Sequence, residues 1–157
     1  MSKRGRIGAA ALALVGVGAV ATSCATATAR NAAPGPPATV ALASWGRHHA
    51  DLFSSLSYDT DTVAEYTSTY NTTALVGACQ TVWNDVQAYL ALPPIPDAVA
   101  ARHLRTALDL FGRGTDDCIS GSLHDDRGLI VQADSELDRA TTHLDATHSV
   151  LRAATGR

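Results

Sequence analysis

Between Ile130 and Leu151 the chain places Ile130, Ala133, Leu137, Ala140, Leu144, Thr147 and Leu151 at alternating intervals of three and four residues. An α-helix gathers positions so spaced onto one stripe, whereas a strand would scatter them over both faces. Asp134, Asp138, Asp145 and Arg152 fall off the stripe, which leaves an apolar seam with a charged back. Large side chains alternate with Ala or Thr along that seam, so a neighbouring helix can approach closely and interdigitate. Asp125 or Asp126 can supply the N-cap, and both acids suit the positive helix end.

Earlier segments carry matching stripes. From Asp97 onward, Ala101, Leu104, Leu108, Phe111, Thr115 and Cys118 repeat the spacing, with a stop expected near Gly121. Gly112 and Gly114 weaken that helix by about 1 kcal/mol each relative to Ala. Leu75, Cys79, Val82, Val86 and Tyr89 form another stripe ending at Leu92. The run Pro93-Pro94-Ile95-Pro96 removes backbone donors and disfavours helix before each proline, so it separates these two elements. A first segment, from about Ala38 to Ser57, aligns Leu42, Trp45, His49, Leu52 and Leu56. Tyr58 to Thr73 holds six threonines and reads poorly by propensity, yet Val63, Tyr66 and Tyr70 keep helical spacing. A short helix is expected there, or an N-terminal extension of the next one with a change of phase. Period-two alternation is sustained nowhere. The predicted fold is all-α, a four-helix up-down bundle.

The N-terminus has a different character. Lys3, Arg4 and Arg6 form a basic head, and no charge follows from Ile7 to Ala29. Ile7 to Val20 is Ile, Leu, Val, Ala and Gly, and the next residues are Ala, Thr and Ser around Cys24, the order of a secretory signal. The apolar part falls short of the roughly 20 residues of a membrane span, although an uncleaved anchor is a competing reading. Val20-Ala21-Thr22-Ser23-Cys24 resembles a bacterial lipobox, with Ala21 where that motif prefers Leu. The expected layout is a signal peptide over residues 1–23, lipidation at Cys24, a disordered Ala/Thr/Pro tether over 24–38, and a bundle domain over 39–157. Cleavage after Ala29 would instead release a secreted protein. The folded part is long enough for one core and no more.

If Cys24 is lipidated or removed, two of the three cysteines remain. An even number in an oxidising compartment points to a disulfide between Cys79 and Cys118. Both fall on the buried seams of consecutive helices. In an antiparallel hairpin about the prolines, Cys79 precedes Pro93 by 14 residues and Cys118 follows Ile95 by 23, an offset that a tilted or unequal turn absorbs. Two free core thiols are the alternative.

Residues that could carry chemistry are few. Six histidines occur, but no HExxH does, and His143 and His148 are five apart and point to different faces. Glu65 and Glu136 are the only glutamates, too few for a di-iron bundle. His49, flanked on its stripe by Trp45 and Leu52, is a candidate axial ligand for haem or a metal, or a pH switch, or else a boundary histidine hydrogen-bonded to a neighbouring helix. Asp116, Asp117, Asp125, Asp126 and the pair Asp59 and Asp61 lack the register of a calcium loop and fit helix capping. Asn71-Thr72-Thr73 fits a glycosylation sequon, but in a bacterial setting it is read as a helix start. Neither a phosphate-binding glycine loop nor a GxSxG elbow is present. No catalytic residue, metal site or cofactor is therefore assigned. Without residues 1–23 the chain keeps 12 − 3 = 9 basic against 15 acidic residues, a net charge of −6, which makes nucleic acid a poor partner.

A lipobox-like signal, a Pro/Ala tether, Trp45 on the first helix, Cys79, the run Pro93-Pro94-Ile95-Pro96-Asp97, Cys118 and an Ala/Leu heptad helix together resemble the small secreted proteins and lipoproteins of actinobacteria. Arg in place of Lys and abundant Ala are similar to the usage of those genomes. The resemblance implies an architecture and a location, and no activity. The expected function is a non-catalytic binding or scaffolding bundle at the cell surface, attached to the membrane by a lipid, whose partner is an extracytoplasmic protein or small molecule. The alternative is a small-ligand or haem carrier using the bundle interior near Trp45 and His49.

Overall fold

The structure, a computed structural model, describes residues 37–156; the expected signal peptide, Cys24 and most of the expected tether lie outside the described residues. Those described are helical with no strand: α1 (Ala38–His48), α2 (Ala50–Ser68), α3 (Thr72–Leu90), α4 (Ala98–His124) and α5 (Arg127–Thr155). The bundle thus has five helices among the described residues, not the four expected. None of them is long and apolar enough to cross a membrane.

The difference lies in the first segment, which breaks at His49 (φ −118°, ψ 14°) and does not end at Ser57. The break lets α1 lean on α5 while α2 lies mainly along α3. The threonine-rich stretch simply continues α2. Its hydroxyls bond back to carbonyls one turn earlier, Thr60 Oγ1 to Leu56 at 2.7 Å and Thr62 Oγ1 to Tyr58 at 3.0 Å, so polar side chains are satisfied within the helix. Phe53, Leu56, Thr60 and Val63 form its buried stripe.

The expected stripes of α3 and α5 are buried throughout. Asn71 opens α3 by accepting from the Ala74 amide, Asp97 opens α4 by accepting from Val99 and Ala100, and Asp126 opens α5 by accepting from Gly128 and Leu129. Asp125 has a separate task, closing α4 in the left-handed conformation at φ 54°. Helix α4 therefore runs a turn beyond Gly121.

Sandwiched between α3 and α5, α4 buries more than one stripe, adding Ala100, Ala107, Leu110, Gly114, Gly121 and Ser122. Two of its glycines make that possible. A Cβ on Gly114 would stand 3.0 Å from Leu137, and one on Gly121 3.0 Å from the Asp126 carbonyl oxygen and the Ile130 amide nitrogen. Their poor helix propensity is the cost of close backbone approach.

Cys79 and Cys118 are joined in a disulfide with Cα atoms 6.3 Å apart, both buried in the core, within the usual span for such a bond. Cys79 lies 11 residues before the end of α3 at Leu90, and Cys118 lies 20 residues after the start of α4 at Ala98. At 1.5 Å per residue this leaves α4 starting about 14 Å beyond the end of α3. The connection 91–97 spans that gap, with Ile95 buried. Its prolines suit an extended path of roughly 3 Å per residue.

Candidate functional site

The end of the bundle where the proline connection crosses α1 gathers most of the unusual side chains. Trp45, buried on α1, donates from Nε1 to the Pro93 carbonyl at 2.9 Å. Its ring meets His49 edge-on at 4.6 Å between centroids and Phe53 at 6.3 Å. Phe53 in turn packs edge-on against Tyr89 at 5.3 Å and stacks on His148 at 4.1 Å. Four helices thus contribute to one aromatic cluster, and Trp45 and His49 are brought together as neighbours within it. Of the two, only Trp45 is buried; His49 is half-buried beside the break.

Two hollows flank Trp45. One, of about 260 Å³, lies between the proline connection and α4, lined by Trp45, Tyr89, Leu92, Ile95, Leu104 and Leu108 with Arg105 and Asp109 at its edge. It adjoins a second depression of about 300 Å³ past Leu90 and Leu108 toward Trp83 and Arg113. On the other side Trp45, His48, His49, Ser44 and Val40 border an open hollow of about 520 Å³. Either can hold a small apolar group against the indole.

Polar groups behind this end are strained electrostatically. The Tyr89 hydroxyl and Asp85 Oδ2 are buried with no protein partner. Burial, with the Asp85 charge adding to it, pushes the Tyr89 phenol far above its ordinary value. Burial, with Asp85 opposite, likewise raises the Asp59 carboxyl. Burial lowers the His148 imidazole, and Arg152 lowers it further.

The stripes expected from sequence contain Trp45, His49 and Tyr89 but omit Phe53 and His148. Phe53 was hidden because the apparent stripe through His49 selects Leu52 instead, and His148 because only its turn-neighbours Leu144, Thr147 and Leu151 keep the spacing. Sequence reading also missed that His103 and His143 meet, with Nδ1 atoms 3.2 Å apart. Both are one residue away from a stripe position, Leu104 and Leu144, which was the available signal. Cys79 and Cys118 are paired as expected. No protein-family model, curated protein or solved structure matches the chain, so its role is read from this geometry.

Proposed function

We propose that the chain is an exported helical-bundle protein, held at the outer face of the cell membrane by a lipid on Cys24, with a non-catalytic binding or scaffolding role there. The observation that carries this reading is the Cys79–Cys118 bridge in the core, because such bonds persist in oxidising compartments and are rare in the cytosol. The basic head and uncharged run before Cys24 support export. The Ala- and Pro-rich residues 25–37, up to the start of α1 at Ala38, suit a tether reaching on the order of 40 Å. The partner is an extracytoplasmic protein or a small molecule received beside Trp45. Intact mass of the membrane-extracted protein tests the reading: loss of residues 1–23 with an acylated Cys24 supports it. A species starting at Arg30 makes the protein secreted, and an unprocessed chain with free thiols in the cytosol overturns export.

A second reading, a small-ligand or haem carrier, is favoured by the hollows on either side of the Trp45 indole. Haem titration separates the two. A shifted Soret band that disappears in His49→Ala supports the carrier, and a band absent or unaffected by that change removes the haem form of it.

A further inference from the structure

Across the α4–α5 seam two imidazoles face each other. Nδ1 of His103 and Nδ1 of His143 are 3.2 Å apart, both rings are half-buried, and their planes are tilted by 35°. The side chains lie on different helices, so their spacing is set by the packing of α4 on α5. With no ion present one ring donates through Nδ1 and the other accepts, so a single proton occupies the space between them.

With centroids 5.5 Å apart the two nitrogens point almost head-on, so an ion takes the proton's place only when both rings turn toward a common point off that line. Two nitrogens bound at about 2.0–2.1 Å to a tetrahedral centre are about 3.3 Å apart, and two in a right-angled cis arrangement about 2.9 Å. The observed separation lies between these values, whereas a linear two-coordinate ion would need about 4 Å. We propose that His103 and His143 form a two-point Nδ1 chelate for an imidazole-preferring divalent ion, zinc or copper. On binding, the ring that donated through Nδ1 carries its proton on Nε2 instead, and both Nδ1 lone pairs turn to the metal. From two neutral rings no net proton is released. Among the described residues no group of three His, Cys, Asp or Glu side chains is placed to hold an ion, so water completes the coordination shell. By the general order of divalent affinities copper binds more tightly than zinc.

Equilibrium dialysis of the full chain against Zn²⁺, and separately Cu²⁺, tests this. The expected result is one saturable ion per chain, weakened about tenfold or more in either His103→Gln or His143→Gln as the chelate is lost, and unchanged in His48→Gln or His124→Gln. Which metal saturates identifies the ion. Nitrogen NMR of the unaltered chain guards against variants that fail to fold, since binding should move the Nδ1 resonances of these two residues. No saturable binding of either ion, binding that survives both substitutions, or binding that follows His48 overturns the site.

Discussion

Tyr70 and Asp125, the two non-glycine residues with positive φ among those described, are bonded to each other: the Tyr70 hydroxyl donates to Asp125 Oδ1 at 3.1 Å. One sits in the α2–α3 turn and the other in the α4–α5 turn, so two left-handed corners hold the same end of the bundle. Arg127 adds its guanidinium over the Tyr70 ring at 5.4 Å. Replacing Asp125 by Gly loses the bond but relieves the backbone; replacing it by Ala loses the bond and keeps the strain. Urea unfolding should place Asp125→Ala about 1 kcal/mol or more below Asp125→Gly. Equal stabilities would mean that the corner carries no strain.

Reducing the Cys79–Cys118 bond opens a loop of sequence separation 39, which in the chain-entropy model removes about 4 kcal/mol. Urea midpoints with and without reductant measure it. A Cys79→Ala, Cys118→Ala double variant should match the reduced protein, and an unchanged midpoint in both would deny the bond a stabilising role.

Glycines of one helix should respond in opposite directions. At Gly112 a new Cβ meets only a Trp83 ring carbon, at 3.7 Å, so Gly112→Ala should stabilise by about 0.5–1 kcal/mol. At Gly121 it meets backbone at 3.0 Å, which cannot yield cheaply, and a loss of about 1–3 kcal/mol is expected. Gly114 faces the Leu137 side chain and should fall between them. Thermal melts of the three variants check the order.

For pH, His148 supplies the sign. Its imidazole is pushed below the ordinary value of 6.5 by burial and by Arg152, with Asp145 opposing, so the unfolded chain takes up that proton more readily. Its contribution to stability is then complete above the ordinary value and is lost as pH falls toward the lowered one. The melting temperature of the parent should decline below about pH 6.5, and His148→Gln should flatten that part of the curve. A curve of the same slope in the variant would assign the decline elsewhere.

Trp45→Phe keeps an aromatic ring in the cluster but leaves the Pro93 carbonyl without its indole donor. A loss of about 1–3 kcal/mol is expected, read as a lower urea midpoint. Retention of full stability would show that water replaces the donor without cost.

Helices α3, α4 and α5 were legible because each carries a continuous apolar stripe, to which α4 adds further buried positions, and strong end signals: Asn71, Asp97 and Asp126 do cap them. The break at His49 was not. Leu42, Trp45, His49, Leu52 and Leu56 continue a helical stripe through it, and neither Gly nor Pro marks the position; the interruption answers to the separate packing of α1 on α5. The threonine run misled for the opposite reason, since hydroxyls that propensity counts against a helix are satisfied inside it at Thr60 and Thr62. Side-chain meetings across helices, such as Phe53 with His148 or His103 with His143, depend on register and rotamer, which spacing along one chain does not contain.

The sulfur bridge also governs where the chain can change length. One residue inserted in α4 between Ala98 and Cys118 would swing the thiol about 100° around its helix axis, away from its mate, and no sliding of the helix restores the match. An insertion at residues 91–92, ahead of the Pro93 carbonyl that Trp45 holds, adds slack to a strap that already covers a gap. Descendants of this sequence should therefore gain or lose residues at the strap and hold constant the count from Asp97 to Cys118.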